Sequence, residues 1–297
     1  MQDFSKIAKQ KAWIAEQSEK ARAAGRTASE PAPKKAAPVP APAAAPVRLP
    51  AWPDSVRAVP NGFLRSALFG VVKRGVRADL KRQSLAVVNG TEILYTGERL
   101  DQGDLDVWAQ CLHIARTHDL GLRVQFGARE FLRAIDRKGD GHSIEWLKRS
   151  MSRLMECTVW IKDGKRMYSG HMLEFAGWDD ATGQFVIKID PSAASLYGTD
   201  SWTGIELSQR QELRGDMARW LHAFYATHTH PFAYKVETLY ALCGSTAARM
   251  RDFRAELRAA CAVVADATGW VMLIDDAGLL QVKKTGRRVR DNTRATA

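Results

Sequence analysis

The sequence predicts an α+β fold with two tandem winged-helix domains and a disordered N-terminal arm. Three observations support this prediction. The first 48 residues hold almost nothing to bury, and alanine and proline dominate residues 25–50. Two later stretches each follow the order helix, short helix, longer helix, hairpin, which is the order of a winged helix. The longest helix of the second stretch combines an apolar face with an arginine stripe, as a helix that enters a DNA groove would.

The N-terminal arm is predicted to span residues 1–48 and to be flexible. Residues 3–24 show a weak amphipathic helical pattern, with too little apolar surface for a helix to fold alone. This segment would either dock on a partner or fray in solvent. Residues 25–50 contain repeated prolines, which block helix and sheet alike, so we expect a semi-rigid extended linker.

The first domain is predicted over residues 49–205. Trp52 would anchor the end of the linker, and Asn89-Gly90, a dipeptide typical of tight hairpins, joins two β-branched runs. The apolar periodicity predicts helices over residues 104–118, 127–135 and 143–156. Strands then flank the turns at residues 162–166 and 179–183. We interpret the 162–166 turn as the tip of the wing.

The second domain is predicted over residues 206–285 and repeats this order. Helices at 213–228 and 235–242 lead to a turn at Gly244 and a long helix over residues 245–268, and strands at 270–274 and 279–283 follow. Ser245 and Thr246 would cap the long helix, because a hydroxyl oxygen can accept a free backbone N–H there. The two halves do not match in sequence, so the repeat is architectural. Residues 286–297 are predicted to be a basic disordered tail.

The helix over residues 245–268 is the predicted recognition helix. Its apolar positions recur at three- and four-residue steps and share a face: Met250, Phe253, Leu257, Cys261 and Val264. Arg251, Arg254 and Arg258 fall about a quarter-turn from that face, and Arg249 lies on the far flank. Alanines cover much of the rest, so nothing bulky keeps this side from a DNA groove. Taken alone, the pattern also fits a core helix with solvated arginines.

The candidates for DNA contact lie on two helices, a helix cap and two wings. Arginine suits guanine because its fork donates two hydrogen bonds, whereas wing residues beside a groove helix contact phosphates. On the first helix a dimer-facing or solvated surface stays an alternative, since Glu145 and Glu156 dilute the charge. The candidates are Lys148, Arg149, Arg153, Lys165, Arg166, Ser245, Thr246, Arg249, Arg251, Arg254, Arg258, Lys283 and Lys284.

Composition favours a nucleic-acid partner and a reducing compartment. The net charge is +11, with +5 in residues 1–48, +4 in residues 206–297 and only +2 between them. The four cysteines stand far apart without a Cys-x-x-Cys pair, which predicts buried reduced thiols and no zinc site. There is no apolar run of about 18 residues for a membrane span and no secretion signal. We therefore expect a soluble protein of a reducing cytoplasm.

No catalytic residue, cofactor or metal is predicted. The chain has no Gly-x4-Gly-Lys-Ser/Thr loop for a nucleotide. His228-Thr229-His230 beside Tyr225 suggests a metal-dependent nicking enzyme, but the sequence near it offers no obvious acidic metal ligand. Because His228 ends a predicted helix, helix capping is the favoured interpretation of this histidine.

Residues spread over the chain agree in order with one known family. They are Leu213, Ala218-Arg219, Phe224, His228, Pro231, Lys235, Glu237-Thr238 and Cys243-Gly244-Ser245, with Ala51-Trp52-Pro53-Asp54, Arg57-Ala58, Pro60-Asn61, Arg65-Ser66-Ala67-Leu68-Phe69, Tyr95-Thr96-Gly97-Glu98 and Ser152-Arg153-Leu154 upstream. This pattern resembles the C-terminal domain of the TrfA-type plasmid replication initiators. The resemblance covers roughly residues 49–285 and is densest over residues 213–284.

The resemblance implies binding to repeated origin sites, called iterons, through two winged helices, and opening of a neighbouring A·T-rich region. It also implies work with the host's DnaA and replicative helicase, and an exchange between active monomers and homodimers that restrain copy number. The family's best-known member has a sliding-clamp motif where residues 43–49 here are Ala-Ala-Ala-Pro-Val-Arg-Leu, so a clamp contact is doubtful. A winged-helix transcriptional repressor of its own operon is the alternative function.

Overall fold

The computed structural model describes residues 45–285, apart from residues 74, 76, 89, 164, 165 and 199 and the side chains of Asp163 and Arg166. The described residues mix helices with mostly antiparallel sheets, so the predicted α+β class is confirmed. The arm helix at 3–24, the linker up to residue 44, Lys165 and the tail at 286–297 lie outside the described residues. In the described part, no helix is long and apolar enough to cross a membrane.

The helices and strands are numbered here in chain order over the described residues. The helices are α1 (Asn61–Leu64), α2 (Gln102–Ala115), α3 (Ala128–Ala134), α4 (Gly141–Glu156), α5 (Leu207–Glu212), α6 (Asp216–Ala226), α7 (Val236–Leu242) and α8 (Met250–Thr268). The strands are β1 (Val56–Pro60), β2 (Phe69–Gly70), β3 (Asp79–Leu85), β4 (Thr91–Glu98), β5 (Leu100–Asp101), β6 (Arg123–Gly127), β7 (Thr158–Asp163), β8 (Arg166–Gly170), β9 (Phe175–Asp179), β10 (Gln184–Lys188), β11 (Trp202–Glu206), β12 (Tyr234–Lys235), β13 (Val271–Ile274) and β14 (Leu279–Lys283).

Two segments of the chain share one topology. In the first, α2, β6, α3 and α4 precede the β9–β10 hairpin, and the sheet order is β6-β10-β9. In the second, α6, β12, α7 and α8 precede the β13–β14 hairpin, and the sheet order is β12-β14-β13. In both, the strand after the first helix pairs antiparallel with the last strand of the hairpin. Both segments therefore have the winged-helix arrangement that the sequence predicts.

The hairpin predicted as the first wing, with its tip at residues 162–166, belongs to a different sheet. Its strands β7 and β8 extend the β3–β4 hairpin into a sheet of order β3-β4-β7-β8. The wing that joins β6 is β9–β10, whose tip is the turn at residues 179–183. Treating this hairpin as the wing is therefore wrong, and Arg166 begins a strand of the other sheet, whereas Lys165 lies outside the described residues. Two hairpins follow each other along the chain, and only the long-range pairing with β6 tells them apart.

Two local predictions near the start of the described chain are confirmed. Trp52 is 6 % exposed, its Nε1 donates to Nδ1 of His113 at 3.1 Å, and its ring stacks on Tyr197. The runs on either side of Asn89-Gly90 form the β3–β4 pair, and Gly90 has the positive φ of +68° that a tight turn requires. Residue 89 itself lies outside the described residues.

The buried side chains form two hydrophobic clusters. The first runs from Leu49 to Ile205 and contains the inner faces of α2, α3 and α4. The second runs from Leu213 to Leu280 and contains those of α6, α7 and α8. Two buried residues belong to the cluster of the other part of the chain: Val71 packs in the second cluster and Ala223 packs in the first. Each winged-helix segment thus has a core of its own, and the chain beside β2 adds to the second one.

The helix predicted to be the recognition helix begins later than expected. α8 spans Met250–Thr268, and its N-cap, Arg249, makes no side-chain capping bond. Gly244, with φ +59°, ends α7 in the left-handed region. The predicted capping role of Ser245 and Thr246 is wrong, because both lie in the turn before the helix. Ser245 Oγ accepts the N–H of Ala247 and Thr246 Oγ1 accepts that of Lys73, each at 3.2 Å.

All four cysteines are buried, as predicted. They lie in α2 (Cys111), after α4 (Cys157), at the end of α7 (Cys243) and in α8 (Cys261). Burial raises the pKa of Cys157 to about 11 and the pKa values of Cys243 and Cys261 to about 12. Each thiol therefore stays protonated and unreactive in the folded chain. In the described part of the chain, no group of three or more His, Cys, Asp or Glu side chains could hold a metal ion.

His222 makes the fold sensitive to acid. It is 2 % exposed in α6, its ring stacks on Trp270, and its Nε2 lies 3.0 Å from Oε1 of Gln209. Burial, reinforced by Arg210 and Lys284, lowers the pKa of His222 to about 3. The unfolded chain, with an ordinary histidine pKa near 6.5, therefore binds more protons, and stability is lost as the pH falls below about 6.5.

We expect His222→Gln to weaken that acid sensitivity. Between pH 6.5 and 5, the free energy of unfolding of the unmodified chain should fall faster than that of the variant, by an amount that rises from about 0.7 to about 1.4 kcal/mol per pH unit. Urea titrations at pH 7, 6 and 5 measure this difference, with the exposed His230→Gln as the matched control. Parallel pH profiles for the unmodified chain and His222→Gln would contradict the assignment.

Candidate nucleic-acid interface

α8 buries one face in the second core and turns the opposite face outward. Phe253, Leu257 and Val264 are fully buried, and Cys261 is 6 % exposed. Arg251, Ala255, Arg258 and Ala262 are exposed and lie on the side of the helix away from them. These four follow each other at steps of four, three and four residues and so form one stripe. At about 100° per residue Arg254 lies about a quarter-turn from the core, as predicted, whereas Arg251 and Arg258 lie about a third of a turn from it.

The outward stripe of α8 has the dimensions of a groove-binding surface. Arg251 and Arg258 are about 10.5 Å apart along the helix axis at 1.5 Å per residue, which corresponds to about three base pairs. The alanines beside them leave the helix slim on this side. A B-DNA major groove, about 12 Å wide, admits such a helix, and arginine forks match guanine O6 and N7 or phosphate oxygens.

The ion pairs on α8 are exposed. Asp252 accepts from Nε of Arg249 at 2.8 Å and lies 3.4 Å from Nε of Arg251, and Glu237 accepts from Nη2 of Arg254 at 2.7 Å. The side chains of these three arginines are 44–73 % exposed. Pairs of this kind contribute about 0–1 kcal/mol, so phosphate oxygens can replace the carboxylates at little cost. The α8 arginines are thus available to DNA.

The two lysines after the second wing differ in what they contact. Lys283 ends β14 with an exposed side chain. Lys284 turns inward instead: its Nζ donates to the carbonyls of Ala226 and His228 at 3.2 and 2.6 Å and lies 5.1 Å from the Trp270 ring centroid. Burial lowers the pKa of Lys284. Lys284 thus holds the carbonyls at the end of α6, as a basic residue at a helix C-terminus does, and the DNA contact predicted for it stays a prediction.

On α4, Lys148 connects the helix to the first wing. Its Nζ lies 2.6 Å from a carboxylate oxygen of Asp180 at the wing tip and 2.6 Å from one of Glu145, and 5.9 Å from the Trp178 ring centroid. The hydrogen bonds donated to Asp180 and Glu145 raise the pKa of Lys148. The amine is therefore charged but already paired. A phosphate would have to displace two carboxylates to reach it.

Arg153 points into the protein, whereas a candidate for DNA contact is expected to point outward from α4. Its Nη2 donates to Oδ1 of Asp104 at 2.8 Å, and its side chain is only 10 % exposed. Asp104 is fully buried at the start of α2 and also accepts from Arg77 and Ser150. The fixed carboxylate draws the guanidinium inward. Arg149, which carries no such contact, is the exposed arginine of this helix.

The other predicted positions fall in three places. Ser245 and Thr246 lie in the turn before α8, beside Lys73. Arg166 begins β8, where its backbone pairs with that of Asp163, and Lys165 lies outside the described residues. The structure thus brings Arg249, Arg251, Arg254 and Arg258 together on one helix, with Lys283 on the wing that follows it.

A nicking site is not present among the described residues. Tyr225, the tyrosine considered for this role, is fully buried in the second core and cannot reach DNA. His228 lies 2.8 Å from the carbonyl of Phe224 through Nδ1, so it caps the end of α6 as predicted.

Comparison with known proteins decides the family. The model of the TrfA protein family matches residues 45–277, which is most of the chain and all of both winged-helix segments except the end of the second wing. The chain belongs to the TrfA protein family. A curated family relative, the plasmid replication initiator protein TrfA of Escherichia coli, is 26 % identical over 218 residues. The match covers 71 % of this TrfA-family chain and 57 % of that relative, so the chain matches little more than half of the relative's length.

Solved structures resemble this TrfA-family fold at low sequence identity. Domains 2 and 3 of RctB align with a TM-score of 0.50 and 11 % identity over 75 % of this chain and 96 % of theirs. The Pi initiator protein, crystallised in complex with iteron DNA, aligns with a TM-score of 0.46 and 11 % identity over 60 % of this chain and 89 % of its own. At these identities the RctB likeness concerns the fold alone.

Sequence reasoning about this TrfA-family member missed the partners of its basic residues. Asp104, Asp180 and Glu237 each hold a residue proposed to bind DNA, and they lie 49, 32 and 17 positions away along the chain. One signal was available for the first: Asp101 and Asp104 have the three-residue spacing of a capping box, which the structure shows at the start of α2. No sequence signal marked Asp180 or Glu237.

Proposed function

We propose that this chain is a plasmid replication initiator that binds directly repeated origin sites, called iterons, sequence-specifically through two winged helices. The observation that carries the proposal is the outward stripe of α8, which sets Arg251 and Arg258 between small alanines on a helix fixed by its own core. Membership of the TrfA family supports it, since the E. coli relative is named a plasmid replication initiator. In this proposal the chain acts by binding, without catalysis.

The two winged-helix segments would contribute unequally to that binding. We assign residues 49–205 and 206–285 to two DNA-binding domains. α8 offers three exposed arginines and its N-cap, Arg249, offers a fourth, whereas α4 offers Arg149 alone, since Lys148 and Arg153 are held by carboxylates. The first wing tip, with Asp179 and Asp180, repels phosphate unless Lys148 bridges it. We therefore expect α8 to supply most of the affinity and most of the base readout.

Later steps of initiation follow from the family and belong to the same proposal. They are opening of an A·T-rich region beside the repeats, recruitment of the host's DnaA and replicative helicase in the bacterial cytoplasm, and restraint of copy number by homodimers. Each needs DNA binding first, so binding is the step to test.

Selection from a duplex library with 30 random base pairs tests the proposed function. We expect the enriched sequence to bind at least about 10³-fold more tightly than a random duplex at the same salt. The logarithm of the binding constant should fall linearly with the logarithm of the salt concentration, because arginine–phosphate contacts release counterions. The enriched sequence should occur as tandem direct repeats beside the gene.

The results also separate the two candidate functions. Enrichment of a site that occurs once, as an inverted repeat over a promoter, would favour a transcriptional repressor over a replication initiator. No enrichment above a random duplex would refute sequence-specific DNA binding altogether. An origin-cloning assay then tests replication: a plasmid that carries the repeats should be maintained only when this protein is supplied.

A further inference from the structure

The turn that leads into α8 is fastened to the first winged-helix segment. The N–H of Val71, just after β2, donates to the carbonyl of Cys243 at 2.8 Å. Nη2 of Arg99, just before β5, donates to the carbonyl of Gly244 at 2.5 Å. We call the group formed by Gly70, Val71, Arg99, Cys243 and Gly244 the Gly244 contact. It joins the two segments six residues before the recognition helix begins.

The Gly244 contact is too tight for side chains at its two glycines. A Cβ at Gly244 would lie 2.5 Å from Nη2 of Arg99 and 3.0 Å from Cβ of Ala67. A Cβ at Gly70 would lie 2.9 Å from the same Nη2 and 3.0 Å from the carbonyl oxygen of Cys243. The Arg99 guanidinium thus fills the space that both glycines leave open. Such close packing fixes the turn against β2 and β5, since either body must move for the other to shift.

The same corner of the first segment also holds α4. Gly70 pairs with Asp101, which caps α2 in a capping box with Asp104. Asp104 then accepts from Ser150 and Arg153 of α4 at 2.6 and 2.8 Å. A short path of buried contacts therefore runs from the turn before α8, through β2 and β5, to α4. α4 and the turn before α8 are therefore both held by contacts to β2, β5 and the start of α2.

A second attachment lies deeper between the segments. Asp106 of α2 accepts from Nε of Arg210 at 2.8 Å and from Nη1 of Arg219 at 2.9 Å. All three side chains are at least four-fifths buried. This group ties α2 to α5 and α6. It keeps the segments together when the Gly244 contact is altered, so a change there should reorient α8 without separating the domains.

We propose that the Gly244 contact fixes the separation and relative rotation of α4 and α8, and so sets the spacing of the two half-sites that one chain reads within a binding site. The inference rests on the proposed function, since it requires that both helices contact DNA. Arg99 and Gly244 act as positioning residues. They determine spacing specificity without touching a base.

The physical basis is the geometry of the duplex. Each added base pair moves the next half-site by about 3.4 Å and rotates it by about 35°. Two helices on one rigid corner cannot follow this change without strain or loss of one half-site. Two helices on domains that can move relative to each other can follow this change. The connection between the domains then only sets the effective concentration of the second helix at its half-site. Preference for one spacing is therefore the property that the contact creates.

The test uses three duplexes and four proteins. The first duplex carries the sequence enriched by the selection described above. The second has one base pair inserted between its two half-sites, and the third has one base pair deleted there. The proteins are the full unmodified chain, Gly244→Ala, Arg99→Ala and Gly90→Ala. Gly90 is the matched control: its φ of +68° resembles the +59° of Gly244, but a Cβ there meets nothing within 4 Å. Fluorescence anisotropy at fixed salt gives each dissociation constant.

We expect the unmodified chain and Gly90→Ala to lose at least about 10-fold in affinity on either altered spacing. Gly244→Ala and Arg99→Ala should lose less than about 3-fold on the same duplexes. Gly244→Ala changes no charge, so agreement between these two variants assigns the effect to geometry and not to a missing cation. Their affinity for a duplex with only the α8 half-site should stay within about 2-fold of the unmodified chain, which shows that α8 is folded.

Three outcomes would overturn the inference. If both variants keep the 10-fold preference, the contact does not set the spacing. If the unmodified chain binds the selected duplex tightly but tolerates all three spacings equally, the two helices are not rigidly linked, while the proposed function stands. If the unmodified chain binds none of the duplexes above a random sequence, the proposed function itself fails, and the inference fails with it.

Discussion

Replacing Asp104 with alanine is expected to lower the free energy of unfolding by about 3–5 kcal/mol. The carboxylate is fully buried and accepts from Ser150, Arg153 and Arg77. Its oxygen Oδ2 also accepts the N–H of Asp101 at 3.0 Å. Removing it leaves two guanidinium groups, 10 and 14 % exposed, without this partner. Uncompensated buried charge is among the most destabilising single changes known in proteins.

Urea unfolding followed by circular dichroism measures this decrease in stability. The matched control is Asp119→Ala, because Asp119 pairs with Arg48 at 2.6 Å but both side chains are about a third or more exposed. That control should cost under about 1 kcal/mol. A decrease of less than about 1 kcal/mol for Asp104→Ala would show that the buried ion pairs do not stabilise the first segment.

The pH dependence of the same carboxylate has a definite sign. Burial alone would raise the pKa of Asp104, but the hydrogen bond and charge of Arg153, followed by the charge of Arg77, bring it below its ordinary value. The stabilising contribution of Asp104 is therefore complete above the unfolded pKa near 3.9 and is lost as the pH falls through the lower, folded pKa. The difference between the unmodified chain and Asp104→Ala should accordingly shrink in strong acid.

Replacing Arg251 and Arg258 together with alanine is expected to weaken binding to the selected duplex by about 2–4 kcal/mol, or about 30- to 1,000-fold. These arginines are the charged residues of the outward stripe of α8, and their removal leaves the buried face of the helix unchanged. If they bind phosphates, affinity for all sequences falls alike and the salt slope decreases by about 0.9 for each arginine removed. If they read guanines, specificity relaxes at one base position for each arginine.

The control for this pair removes two exposed arginines elsewhere. Arg48 and Arg214 are 64 and 75 % exposed and lie outside α4 and α8. The Arg48→Ala, Arg214→Ala double variant lowers the net charge equally and should change affinity by less than about 3-fold at moderate salt. An equal decrease in affinity in both double variants would mean that net charge, and not the α8 surface, drives binding.

The sequence alone predicted the parts of the fold that depend on local pattern. The apolar positions Phe253, Leu257 and Val264 recur at helical steps and are fully buried in α8. The β3–β4 hairpin follows from Asn89-Gly90, since this dipeptide favours a tight turn whatever surrounds it. Both winged-helix segments could be predicted because each helix and hairpin carries its own periodicity.

What the sequence could not provide depends on residues far apart along the chain. Two hairpins follow α4, and only pairing with β6, more than 50 residues upstream of β10, decides which one is the wing. Arg153 has the helical position of an outward residue, yet Asp104 draws it inward from 49 residues away. The start of α8 was predicted too early because Ser245 and Thr246 look like caps. Instead, the left-handed Gly244 and its contact with Arg99 place them in a turn.

The burial of all four cysteines makes thiol labelling a measure of which part of this chain opens. A reagent reaches a buried sulfur only when its surroundings unfold locally, so each labelling rate reports one opening equilibrium. Cys243 lies in the Gly244 contact, Cys261 on α8, and Cys111 in the first core. Separation of the domains would expose Cys243 first and leave Cys111 protected. The natural sequence therefore carries distinct kinetic probes for domain motion and for global unfolding, without an added label.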